Sequence, residues 1–263
     1  MANPEGSFIW YELMTPDPDA SKVFYDAVVG WDVDAASTGP QGTDYRMIKR
    51  SDGGNAGGML KLDQAMIEHG ARPMWLGYVN VGDVDAAVAK AGERGAAPLI
   101  PPFDAPGVGR IAMIADPQGA PLYLMKPNPP AGQPDAGSDV FSVDQPGRIN
   151  WNELSTSDSQ AARDFYGDMF GWDSSDAMDM GGNGEYRFLD FDGQRIGAIA
   201  GLSPGQLPAW RYYIGVASID RAIGTIKDQG GQVVMGPYEV PGPMHIVVGK
   251  DPQGAEFALV GRK

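Results

Sequence analysis

The sequence contains no cysteine and only two histidines, His69 and His245, in 263 residues. The first absence excludes disulfides, thiolate metal sites and cysteine nucleophiles. The second leaves little imidazole for metal binding. No stretch approaches the roughly 18 consecutive apolar residues that a membrane helix needs. The opening MANPEGSF has neither the basic nor the apolar region of a secretory leader, so a cytoplasmic location is expected. Positive charge is also short: 20 Lys and Arg stand against 34 Asp and Glu, for a net charge of -14. Such a chain repels phosphate backbones and anionic lipid alike, which predicts neither a nucleic-acid nor a membrane partner.

What is present is a repeat. WYELMTPD at 10–17 returns as WNELSTSD at 151–158, and FYDAVVGW at 24–31 returns as FYGDMFGW at 165–172, each 141 residues later. Tyr45-Arg46 and Tyr186-Arg187 keep that shift. PMWLGY at 73–78 answers PAWRYY at 208–213, and DPQGA at 116–120 answers DPQGA at 251–255, now 135 residues apart. The hydrophobic content of 43% is enough to bury a core in each copy. Between the copies lies PNPPAGQP and then a polar stretch to about Gln145, a composition that predicts an extended, unpacked linker. The expected organisation is a first domain at 1–126, a linker at 127–146 and a second domain at 147–263.

Within each copy the alternation over residues 7–15 predicts a strand. Asp17 is a candidate N-cap with Pro18 in the first turn, and Gly30 supplies the stop. Ala20, Val23, Phe24, Ala27 and Val28 form an apolar face at helical spacing. Short strands follow, then a second strand and a helix around 84–94, then strands near 111–114 and 122–125. PPFDAPGVG at 101–109 and PYEVPGPM at 237–244 read as proline-stiffened loops, with Phe103 and Tyr238 at a cavity rim.

The Asp-x6-Phe-Tyr spacing at Asp17, Phe24 and Tyr25, the Gly-Trp that follows it, and the Asp-Pro-x-Gly turns at Asp116 and Asp251 resemble the vicinal oxygen chelate superfamily of glyoxalase I, bleomycin resistance proteins and extradiol dioxygenases. The resemblance implies an α+β fold of two tandem glyoxalase-like domains, each a pair of βαβββ units curled into a cup with helices outside. It also implies where metal ligands would stand. Carried over, those positions hold Trp10 and Trp151 on the first strands, Tyr123 and Ala258 on the last, and Leu76 and Arg211 between. None is an ordinary ligand for zinc, nickel or ferrous iron. No metal and no cofactor are therefore expected. His69 reads as a surface residue, and His245, which answers Arg110 in the first copy, as a polar or anion-contacting position.

Strand parity places Trp10 and Glu12, and Trp151 and Glu153, on the inward face. Three roles for the glutamates stay open: ligand anchors, general bases, or partners of Arg46 and Arg187. The candidate catalytic residues are thus Glu12 and Glu153. Candidate ligand contacts are Trp10, Tyr78, Tyr123, Arg110, Trp151, Tyr213 and His245, the aromatics suiting a flat or cationic small molecule. Trp75 and Trp210 have the opposite parity and belong to the helix side. The leading functional expectation is a metal-independent small-molecule binding protein that sequesters or detoxifies a toxic compound. The alternatives are a metal-free lyase, isomerase or hydrolase, or a glyoxalase-type enzyme, and an interaction module with filled cups. A monomer or a weak homodimer suffices, since one chain supplies all four units.

Overall fold

The structure, a computed structural model, describes residues 2–40, 42–129, 132–133, 135–181 and 184–263. Pro130, Ala131 and Pro134 of the expected linker, and Gly182 and Asn183, lie outside the described residues.

In the first half the order is β1 (Phe8–Thr15), α1 (Pro18–Val29), β2 (Asp32–Val33), β3 (Tyr45–Lys49), β4 (Asn55–Lys61), α2 (Gln64–Glu68), β5 (Met74–Asn80), α3 (Val84–Glu93), β6 (Ala97–Ala105), β7 (Gly109–Ala115) and β8 (Pro121–Pro127). The second half runs β9 (Ile149–Thr156), α4 (Ser159–Phe170), β10 (Ala177–Asp179), β11 (Glu185–Phe191), β12 (Gln194–Gly201), β13 (Ala209–Val216), α5 (Ile219–Asp228), β14 (Gln232–Val240), β15 (Met244–Lys250) and β16 (Glu256–Gly261). Each half forms one eight-stranded sheet. Their orders, β2-β3-β4-β1-β5-β8-β7-β6 and β10-β11-β12-β9-β13-β16-β15-β14, are the same topology written twice.

The helix boundaries follow from local chemistry. The Asp17 carboxylate accepts the Ala20 N–H, Pro18 opens α1, and Gly30 ends it at a φ of 85°, a left-handed conformation that glycine adopts without a Cβ penalty. Asp158 and Gly171 do the same for α4. The buried face of α1 differs from the expected one: Pro18, Ser21, Phe24, Tyr25 and Val28 are inside, while Val23 is 60% exposed. The stripe is rotated because Tyr25 has a buried polar partner, which hydropathy does not register.

Packing divides the chain into two compact units, each drawn from both halves. In the unit made of Trp10–Leu76, Asp139–Asn150 and Tyr212–Lys263, α1 lies against α5. There the Tyr25 hydroxyl donates to Asp251 Oδ2 at 3.1 Å and accepts from Trp75 Nε1 at 3.0 Å. In the unit made of Met1–Ile9, Gly77–Ser138 and Trp151–Arg211, α3 lies against α4. There Tyr166 donates to Asp116 Oδ2 at 2.9 Å and accepts from Trp210 Nε1 at 3.0 Å. The aromatic of the Phe-Tyr motif in one half thus meets the Asp-Pro-Gln-Gly turn of the other. The second oxygen of each aspartate accepts two backbone N–H groups of its own turn, those of Gln118 and Ala120 or of Gln253 and Ala255. Burial pushes both carboxyl pKa values above the ordinary range, and these hydrogen bonds only partly counter it.

Two expectations need correction. From Asp139 onward the connecting segment is packed, not free: Val140 is buried, Asp139 pairs with Arg50 at 2.6 Å and with Arg148 at 2.8 Å, and Trp31 Nε1 donates to the Gly147 carbonyl at 2.8 Å. The proline-rich segments are edge strands, not loops. β6 pairs only with β7 and is irregular near Ile100, and such an edge tolerates Pro98, Pro101 and Pro102 because a missing N–H there costs no central ladder bond.

Candidate functional site

The most developed polar cluster lies in the second half, within the unit that contains Trp151–Arg211. Glu153 on β9 registers with Ala198 on β12, and Ser155 with Ala200, so these side chains share a face with Tyr186 of β11. Trp151 Nε1 donates to the Tyr186 hydroxyl at 2.8 Å, and that hydroxyl donates to Glu153 Oε2 at 2.8 Å. Arg211 Nη1 on β13 donates to Glu153 Oε1 at 2.9 Å. Glu153 is 8% exposed, so the pair is held largely away from water. Both of its oxygens are engaged, one by a cation.

Phe188 extends the cluster. Its ring stands edge-on to Trp151 at 6.3 Å and to Tyr186 at 5.7 Å, and the Arg195 guanidinium sits 4.1 Å from its centroid. Beside Tyr186 opens a cavity of about 440 Å³, with Met180, Glu185, Ala200, Leu202 and Ser203 among its walls.

The first half repeats part of this arrangement. Trp10 Nε1 donates to the Tyr45 hydroxyl at 2.8 Å. Glu12, 3% exposed, registers with Gly58, over which the Tyr45 ring lies so closely that a Cβ at Gly58 would stand 2.0 Å from its hydroxyl oxygen. The position that holds Arg211 in the second half holds Leu76 here. The two copies are therefore chemically unequal.

The arginines expected beside the glutamates turn away. Arg46 pairs with Asp44 and Asp19, and Arg187 with Glu185, because alternation sends each to the face opposite its tyrosine neighbour. Arg110 is also not a cavity residue. The Met113–Tyr123 register places it on the face opposite Tyr123, where Asp85 of α3 and Asp104 hold it. His245 is likewise on the face opposite Tyr213, since Tyr213 and Val248 both register with Ala258. His69 caps α2 and is exposed, with Nδ1 2.7 Å from the Ala65 carbonyl. Tyr78 and Tyr123 do come together, but they stack on each other at 4.2 Å and 13°, each 5% exposed, so the shared faces offer no slot for a ligand. Tyr213 registers with Ala258 on β16. Tyr186, Phe188 and Arg211 are the partners that site selection from sequence missed. Applying strand parity to the repeated Tyr-Arg dipeptide finds the first.

The positions at which related proteins hold a divalent metal do not fit one here. They carry indoles, a phenol, aliphatic groups and a guanidinium, and the Glu153 carboxylate beside those of the second half is engaged at both oxygens. Among the described residues no group of three His, Cys, Asp or Glu side chains is placed to hold a metal ion. Among them, no helix is long and apolar enough to cross a membrane.

Comparison with known proteins agrees with the topology. Residues 7–123 and 148–259 each match the profile of the Glyoxalase/Bleomycin resistance protein/Dioxygenase superfamily. The protein named "Putative glyoxylase CFP32" of Mycobacterium tuberculosis is 31% identical over 257 residues, which cover 97% of this chain and 95% of that one. The anthracycline biosynthesis protein DnrV of Streptomyces peucetius is 26% identical over 265 residues, covering 97% and 93%. Among solved structures, the Mn(II)-bound glyoxalase from Novosphingobium aromaticivorans superposes with a TM-score of 0.63 at 18% identity, over 98% of this chain and 82% of its own. The 2,2',3-trihydroxybiphenyl 1,2-dioxygenase from Sphingomonas wittichii gives 0.64 at 14% identity, over 98% and 91%. At such identities the two structures speak for the fold alone. With both halves matched and one relative above 30% identity over nearly its whole length, the chain belongs to the Glyoxalase/Bleomycin resistance protein/Dioxygenase superfamily, as an α+β protein with two tandem glyoxalase-like halves.

Proposed function

We propose that this member of the superfamily is a metal-independent small-molecule binding protein of the cytoplasm, which sequesters or helps to detoxify an aromatic compound. The observation that carries the reading is the state of Glu153. A general base needs a lone pair aimed at the substrate proton, whereas here Arg211 and Tyr186 occupy both oxygens and Arg211 neutralises the charge. Such a carboxylate fixes the wall of a site and orients Tyr186. Tyr186 supplies aromatic surface to the wall of an open cavity, with Trp151 hydrogen-bonded to it and Phe188 packed against both. The anthracycline biosynthesis relatives support a ligand with fused rings.

The test is thermal stabilisation of the EDTA-treated protein by a panel of planar aromatic compounds. Binding without turnover, lost in Trp151→Ala, is the expected result. No stabilisation across the panel contradicts the proposal. A metal-free lyase, isomerase or hydrolase is the second reading, favoured by the glyoxylase names of the mycobacterial relatives and by the buried Glu12. It predicts product formation that Glu12→Gln abolishes while ligand affinity is kept.

A further inference from the structure

We propose that the chain binds one ligand, in its second half, and that Ala198 and Ala200 of β12 are the residues that open the site there. This rests on the binding function above and names the residues that set access to its cavity. Both halves lay the same three strands side by side. In the first, Tyr45 of β3 registers with Leu60 of β4, and Leu60 with Met14 of β1, which is 7% exposed. In the second, Ala200 of β12 registers with Ser155 of β9, and the Arg187–Ile199 register, continued by one residue, sets Tyr186 of β11 on its other side. A row of Tyr, Leu and Met has thus become Tyr, Ala and Ser. Tyr186 and Ala200 of that row are both walls of the cavity of about 440 Å³.

The neighbouring position explains why Tyr186 does not settle onto its sheet as Tyr45 does. In the first half the Tyr45 ring lies so closely over Gly58 that a Cβ there would collide with its hydroxyl. Glu12 registers with Gly58 and Glu153 with Ala198, so Ala198 carries the Cβ that Gly58 lacks. Tyr186 therefore cannot take the Tyr45 pose without a steric clash. Ala198 props the ring off β12, and the short Ala200 side chain leaves the space beside it clear. A leucine at 200, as at 60, would put three more carbons into that space. The other apolar walls are Met180, whose shape can adapt, Leu202 and Pro204. A planar ring system entering here leaves water together with these walls, and the volume suits a few fused rings.

The experiment uses the full chain labelled with ¹⁵N-tryptophan and titrated with 2-naphthalenemethanol. The reporters are the indole N–H resonances of Trp151 and Trp10, assigned with Trp151→Phe and Trp10→Phe, because these groups donate to Tyr186 and Tyr45 respectively. Trp151 should shift to saturation with one molecule per chain, and Trp10 should not move. Ala200→Leu, which installs the residue of the first half at a half-buried position, should weaken binding at least tenfold. Ala198→Gly, which removes the prop, should weaken it at least threefold. Ala200→Val, a smaller change that should also cost at least threefold, decides the matter alone should the leucine variant fail to fold. Losses below these margins, or a saturable shift of Trp10, overturn the inference and leave the binding function standing. No shift of either resonance overturns both.

Discussion

Replacing Ala162 by serine should stabilise the protein by about 1 kcal/mol. In α1 the equivalent residue is Ser21, whose hydroxyl lies 2.8 Å from Thr15 Oγ1 and donates to Gln253 Oε1 at 3.1 Å. In α4 that hydroxyl is absent, Ala162 is fully buried, and Gln118 Oε1, the counterpart of Gln253 Oε1, is a buried acceptor with no partner among the described residues. The surroundings otherwise repeat: the Ala162 N–H bonds the Asp158 carbonyl at 3.0 Å, as the Ser21 N–H bonds that of Asp17. Leaving such an acceptor unsatisfied costs about 1–3 kcal/mol. Against its relief stand the lower helix propensity of serine, up to about 0.5 kcal/mol, and the burial of a new hydroxyl. The net gain of about 1 kcal/mol should raise Tm by roughly 2–4 °C in a chain of this size. Urea unfolding followed by tryptophan fluorescence should show a higher midpoint at unchanged m-value. Adding Gln118→Ala should abolish the gain, and Ser21→Ala should cost a similar amount. An Ala162→Ser protein no more stable than the wild type, with Ser21→Ala equally harmless, refutes the reasoning.

Tyr166→Phe removes the donor to Asp116 and the acceptor of Trp210, and should cost about 1–3 kcal/mol. Because burial raises the Asp116 pKa in the folded state, the stability linked to that group is fully present below the unfolded carboxylate value and is lost as pH rises through the folded one. Losing the tyrosine raises the folded value further, so the penalty should be larger at pH 7 than at pH 4 in paired urea melts. Gly58→Ala should destabilise by about 1–3 kcal/mol, since its Cβ would displace the Tyr45 ring, with the Trp10 indole N–H resonance moving in the NMR spectrum as its hydrogen bond to Tyr45 is lost. Glu153→Gln removes the charge that faces Arg211 across a largely buried contact and should cost about 2–4 kcal/mol in the same melts; Glu153→Gln with Arg211→Leu should recover most of it.

The repeat carried most of the fold. Asp17 and Gly30, with their copies Asp158 and Gly171, announce two helices in their own chemistry, and the tandem sheets follow from the matched strands. The rotation of α1 toward Ser21 and Tyr25 was illegible, because their partners, Gln253 and Asp251, are more than 220 residues away. β6 looked like a loop because three prolines mask a strand that needs only one hydrogen-bonded edge. At the site, parity correctly set Trp151 and Glu153 on one face. Arg110 and His245 were misplaced because their face depends on the registers with β8 and β16, which one strand's sequence does not contain. In the sequence Arg211 stands out only as a residue unsuited to a metal-ligand position. Its pairing with Glu153 needs β9 and β13 in space, 58 residues apart in sequence.

The central claim is that the second-half site binds its ligand through Trp151, Tyr186, Phe188 and a neutralised Glu153–Arg211 pair, without a metal. Isothermal titration of the EDTA-treated protein with the best aromatic compound from the thermal panel, repeated after saturation with Mn(II), tests it most directly. The account predicts the same affinity and a single enthalpy in both titrations, and loss of the signal in Trp151→Ala. Binding that appears only after Mn(II) is added would contradict it.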